Sequence, residues 1–145
     1  MSRIKCFVIE PSGRTRHVEF DGGRTSAEWT IWQRADSKEE VGTLNEAPPG
    51  AMWRATWLED LGNGWWKGPD GQVWIVKTPG GDWCIDSRAS NCTMKDDNEH
   101  RCWVRHGTPP ELTVDKNGLT CAAGAGSIQC GNYHGFLRNG HLEQC

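Results

Sequence analysis

The stretch Gly68-Pro69-Asp70-Gly71-Gln72-Val73-Trp74-Ile75-Val76-Lys77-Thr78-Pro79-Gly80-Gly81 decides the reading of the fold. Residues 72–77 are rich in β-branched and aromatic side chains and stand between two tight-turn signals. A run that short is bounded as hairpin strands are bounded. Downstream, Asp82-Trp83-Cys84-Ile85-Asp86 reads as the next strand, followed by short runs at 101–106, 112–114, 127–130 and 133–138. Upstream, residues 29–34 form another run, and 51–58 is compatible with either a strand or a helical turn because Trp53 and Trp57 are spaced i, i+4. At the start, the apolar run 4–9, a turn at Pro11-Ser12-Gly13 and an extended stretch 17–20 suggest a hairpin. No stretch holds a 3.6-residue pattern over three turns, while turn signals recur every ~8–12 residues. The expected fold is therefore mainly β, with short twisted antiparallel strands and hairpins, little helix and many loops.

The chain has 145 residues, which suits one small domain rather than a multidomain enzyme. Two lobes within it are suggested by composition: a Trp-rich part over about 1–86 and a Cys/His-rich part over about 87–145. Leu, Ile, Val and Phe together number only 23, so the nine Trp are expected to supply much of the core. A formal charge of −3 disfavours a broad phosphate-binding face and hence nucleic acid as a partner. No apolar run reaches the ~18 residues of a membrane span, and the N-terminal apolar run is too short for an export signal. The reading is a protein that stays in the cytosol.

In a reducing cytosol seven Cys are thiols, which points to metal, catalysis or burial. Six of them, Cys84 onward, share the last 62 residues with four of the five His. Thiolate and imidazole are the ligands that tetrahedral Zn²⁺ takes, and the candidates are Cys92, His100, Cys102, His106, Cys121, Cys130 and His134. In an extended segment His100 and Cys102 share one face. Catalytic constellations are thinner. A thiol nucleophile, Cys121 or Cys130 with His134, would need an orienting group such as Asp115 or Asn132, and a metal-bound water would need Asp97 or Glu99 as base. Neither His-Glu-x-x-His nor a phosphate-loop spacing occurs, so no catalytic residue is assigned. Among the indoles, Trp65-Trp66 beside Gly64 are the pair expected to be partly exposed and to bind a partner protein.

Pro48-Pro49-Gly50-Ala51-Met52-Trp53, Arg88-Ala89-Ser90-Asn91-Cys92-Thr93, His100-Arg101-Cys102-Trp103-Val104-Arg105-His106-Gly107 and Tyr133-His134-Gly135-Phe136-Leu137 carry a resemblance to a family of tailed-bacteriophage proteins with no assigned activity, over about residues 48–142. Ser127-Ile128 and His134-Gly135-Phe136-Leu137-Arg138-Asn139-Gly140 also resemble, distantly, a phage and bacterial Cys/His zinc-binding domain of unknown function. That resemblance implies a structural Zn²⁺, and the ligand set it suggests is Cys92, Cys102, Cys121 and His134, with His100 and Cys130 as substitutes. It implies a phage protein of the host cytoplasm, or one associated with the virion. Such a protein would act by protein–protein interaction in host takeover, anti-defence or the particle. The alternative is a zinc-dependent or Cys/His hydrolase.

Overall fold

The computed structural model describes residues 3–60, 67–97, 100–118, 121–123 and 126–145. Its strands are β1 (Arg3–Lys5), β2 (Phe7–Phe20), β3 (Thr25–Arg34), β4 (Glu40–Gly42), β5 (Ala51–Arg54), β6 (Trp74–Thr78), β7 (Gly81–Cys84), β8 (Val104–His106), β9 (Thr113–Asp115), β10 (Ile128–Cys130), β11 (Tyr133–Arg138) and β12 (His141–Gln144). The fold is mainly β, as expected, with two 3-10 turns, Asp21–Gly23 and Thr56–Leu58, and no α-helix among the described residues. No helix there is long and apolar enough to cross a membrane.

Six strands form one sheet in the order β4-β3-β2-β5-β6-β7, four form a second in the order β1-β12-β11-β10, and β8 pairs with β9 alone. The β6–β7 hairpin is the one its turn residues announce. Thr78 faces Gly81 across Pro79-Gly80, and the Thr78 hydroxyl donates to the Gly81 carbonyl at 2.7 Å. Gly80 is also where the two sheets touch: a Cβ there would lie 2.0 Å from the Cys130 carbonyl oxygen, so only glycine fits.

Three sequence expectations change. Pro11-Ser12-Gly13 does not reverse the chain. β2 runs on through it with a register shift between Pro11 and Thr15, Gly13 taking φ +86°, and the reversal comes at Asp21–Gly23. This is an irregular bulge, in which two extra residues of β2 are absorbed by a kink rather than a turn. The apolar run 4–9 is split at Cys6. Before it β1 pairs with β12, after it β2 pairs with β3 and β5, and Cys6 itself is 2 % exposed between the sheets. Cys6 is thus a core residue despite its place near the chain end.

The core is also less dominated by indoles than composition suggests. Trp32, Trp53, Trp83 and Trp103 are buried, but Ile9, Met52, Ile85, Leu112, Ile128, Leu137, Leu142 and several Val are buried with them. Trp29 and Trp57 are exposed. Two apolar clusters result. One, around Trp32, Trp53 and Val73, lies on the six-stranded sheet; the other joins Met52, Val76 and Trp83 to Ile128, Leu137, Leu142 and the cysteines of the second half.

Candidate metal centre

Between β7 and β8 the chain runs from Ile85 to Trp103 without a strand, and between β9 and β10 it runs from Lys116 to Ser127 likewise among the described residues. These two long loops meet beside the second apolar cluster. Trp103 joins them: its indole Nε1 donates to the Ser127 carbonyl at 3.2 Å, and its ring meets Trp83 edge to face at 5.3 Å. Lys116 adds a bond from its ammonium to the Cys102 carbonyl.

At the junction lie Cys92, His100, Cys102 and Cys121, whose ligand atoms all fall within 4.8 Å of one another. Cys102 is fully buried and the other three are 6–8 % exposed. Cys102 Sγ stands 3.8 Å from Cys121 Sγ and 3.7 Å from His100 Nε2. Such a Cys₃His group can hold a metal ion.

The surrounding backbone treats these sulfurs as acceptors. Met94 N donates to Cys92 Sγ at 3.3 Å and Ala123 N to Cys121 Sγ at 3.4 Å, each from two residues further along, while Ala89 N reaches Cys102 Sγ at 3.1 Å. Arg88 adds a guanidinium bond to Cys92 Sγ at 3.5 Å and ties its own loop through the Met94 and Asp97 carbonyls. Donors of this kind orient thiolate ligands and stabilise their charge. Asp97 fixes the His100 backbone by accepting its N–H at 3.1 Å.

The electrostatics agree. Burial pushes the Cys121 thiol up, but the N–H groups of Thr93 and Ala123, with His100 and Cys102, outweigh it and bring Cys121 down to about 5. Cys102 goes the other way, to about 11, first through burial and then through its own bonds to Cys92 and Cys121. A cation held among these close-packed sulfurs would displace thiol protons and let the thiols ionise.

A second buried charge lies at the start of the first loop. Asp86 and Arg105 face each other at 3.4 Å with side chains 2 % and 5 % exposed, and Arg105 also bonds Asp70 at 2.7 Å. Burial pushes the Asp86 carboxyl up to about 6, and the rather distant Arg105 recovers only part of that cost. Its Oδ2 has no hydrogen-bond partner among the described residues, as a neutral carboxyl would tolerate better than a carboxylate.

Of the residues expected to ligate, the structure gathers Cys92, Cys102 and Cys121, with His100 in place of His134. His134 sits on β11 opposite Gln129, exposed, with Nε2 3.1 Å from Ser127 Oγ. The reason is strand alternation: Tyr133, Gly135 and Leu137 face the core, so the residue between Tyr133 and Gly135 must face out. Cys130 lies at the contact between sheets, its Sγ 3.4 Å from the Asp82 carbonyl oxygen. His106 pairs with Asp115 at 2.8 Å on the β8–β9 hairpin. Trp65, Trp66 and Glu99 lie outside the described residues.

No protein-family model matches this chain. No curated protein and no solved structure matches it either.

Proposed function

We propose that the chain is a phage-encoded β protein with a structural Zn²⁺ at Cys92, His100, Cys102 and Cys121, acting by binding another protein, host or phage. Its setting is the host cytoplasm or the virion, in host takeover, anti-defence or the particle itself. The observation that carries this reading is the burial of all four donors, none more than 8 % exposed. A catalytic zinc keeps one position open to water or substrate, whereas a structural zinc is closed by four protein ligands. Three thiolates and an imidazole favour zinc over the oxygen-seeking Mg²⁺ and Ca²⁺. The spacing supports it too: a tetrahedron with Zn–S bonds of about 2.3 Å has S···S edges of about 3.8 Å, and Cys102 and Cys121 are 3.8 Å apart. The hydrolase alternative draws less support, since the His134 ring nitrogen meets a serine hydroxyl and not a thiol.

Metal analysis of the chain purified without added metal should return close to one zinc per chain. Affinity capture from infected cells should return one protein partner with the wild type and lose it with Cys102→Ser. A metal-free chain with native hydrogen-exchange protection, or metal-dependent turnover of an ester or peptide substrate, overturns the reading.

A further inference from the structure

The β2–β3 ribbon leaves one strand edge open next to a cleft. β2 occupies the inner edge of β3, with Thr15 facing Thr30 and Phe20 facing Thr25. On the outer edge β4 pairs only at Trp32–Gly42 and Gln33–Glu40. The chain then turns away at Thr43, whose N–H and hydroxyl both donate to the Glu46 carboxylate at 3.0 and 3.1 Å. The outer edge over 25–31 therefore has no backbone partner among the described residues.

Where β4 departs, a cleft of about 330 Å³ opens, lined by Glu28, Thr30, Trp32, Leu44 and Trp57 among others. Trp32 is its buried floor. Trp57, 51 % exposed, is a wall set edge-on to Trp32 at 6.3 Å. Gly42, opposite Trp32, contributes no side chain to close it, and a Cβ there would lie 2.7 Å from Glu46 Oε1. Glu28, Thr30 and Trp32 alternate along β3 and so share this face. Glu28 is the only charged residue from Thr25 to Gln33. Glu28 pairs with His17 Nδ1 at 2.7 Å and accepts from the Thr15 hydroxyl at 2.9 Å, bonds that hold its carboxyl below the usual range, and wherever His17 is neutral it presents a net negative charge beside the cleft.

We propose that the outer edge of β3 takes up an extended peptide segment of a partner protein as an added strand in line with β4. A bulky apolar side chain opposite Thr30 enters the Trp32–Trp57 cleft, and a basic side chain two residues away stands opposite Glu28. Strand addition draws affinity from main-chain hydrogen bonds and specificity from alternate side chains, and this edge offers both. A second copy of the chain pairing through the same edge would bring no basic residue to Glu28, since 25–33 contains none. This inference rests on the binding-protein reading above and names the chemistry of the partner.

The test uses the metal-loaded full chain and synthetic ten-residue Thr/Ser peptides carrying Leu-x-Lys, the order an antiparallel strand in line with β4 requires, with controls carrying the same residues one position out of phase. The in-phase peptide should slow hydrogen exchange at alternate amides within 25–31. Its affinity should fall at least about tenfold when alternate peptide amides are N-methylated, and again in Trp57→Ala, whose exposed ring can be removed without opening the core. No protection by the in-phase peptide, binding indifferent to N-methylation, or a chain that dimerises through this edge overturns the proposal. Partner capture that persists after peptide binding is shown to be absent overturns this edge alone and leaves the binding-protein reading standing.

Discussion

The outer part of the β2–β3 ribbon and the two loops around the Cys₃His cluster are ordered by opposite means. Over 15–20 and 25–30 the ribbon has a continuous antiparallel register, yet only Val18 and Ala27 are half-buried and the rest are exposed, with the Phe20–Trp29 ring contact at 5.9 Å. The loops have the reverse: Cys92, His100, Cys102, Trp103 and Cys121 are buried, but the adjoining β8 and β9 are three residues each. A ladder can fix a segment that buries almost nothing, provided its root is held, and here Ile9 and Trp32 hold it in the core. A buried segment with little ladder needs another constraint, and a metal ion held by the four convergent side chains would supply one. Metal loss should therefore fall unequally on the two regions.

The largest effect is expected from Cys102→Ser, which removes the most buried ligand. Losing a metal belongs to the short list of changes that cost at least about 4 kcal/mol. Hydrogen exchange should speed up across 85–97 and 100–103 while the ribbon amides keep their protection at partial denaturation. Simultaneous loss in both regions would break the comparison.

Next come two indoles, one for each region. Trp53→Ala, at a site 1 % exposed on the six-stranded sheet, and Trp103→Ala, between the loops, should each cost about 3–5 kcal/mol in denaturant unfolding. Zinc competition should separate them. Trp103→Ala should weaken metal retention because it loses the bond to Ser127 and the Trp83 contact, whereas Trp53→Ala should not.

Acid sensitivity sharpens the loop side further. Asp86 is held up to about 6 by burial against an unfolded value near 3.9, so between those values the folded chain keeps a proton that the unfolded chain releases. Its contribution is complete below about pH 4 and is lost as pH rises through 6, by about 3 kcal/mol. The stability of wild type relative to Asp86→Asn should fall by that amount across this window in urea titrations. A flat difference would mean that Arg105 compensates the buried carboxylate.

How much of this was legible depends on how local each cause is. The β6–β7 hairpin could be read because Pro79, Gly80 and Gly81 fix it within a few residues. β1 and β12 could not be paired, because their partnership spans the chain and depends on the break at Cys6. Pro11-Ser12-Gly13 reads as a turn yet forms a bulge, because Pro and Gly serve both. At the cluster, Cys92, Cys102 and Cys121 were legible from residue type and crowding. The shared face of His100 and Cys102 is a usable signal for His100, whereas alternation over Tyr133 to Arg138 puts an apolar ring on either face, and it is the burial of Tyr133 and Leu137 that turns His134 outward. What joins Cys121 to the first loop is tertiary, through Trp103 and Ser127, and no local pattern carries it.

The smallest effect is expected at the ribbon. Phe20→Ala removes a 39 % exposed ring from its contact with Trp29 and should cost less than about 1.5 kcal/mol, with metal content unchanged. A larger loss by thermal unfolding would show that ring contacts, and not the ladder, order the ribbon.

X-ray absorption at the zinc edge, on chain purified without added metal, addresses the centre itself. Burial of Cys92, His100, Cys102 and Cys121 around one point predicts a single closed shell of three sulfurs and one nitrogen, unchanged in His134→Ala. A shell containing oxygen from water, a nitrogen signal lost in His134→Ala, or a folded chain holding no metal would contradict it.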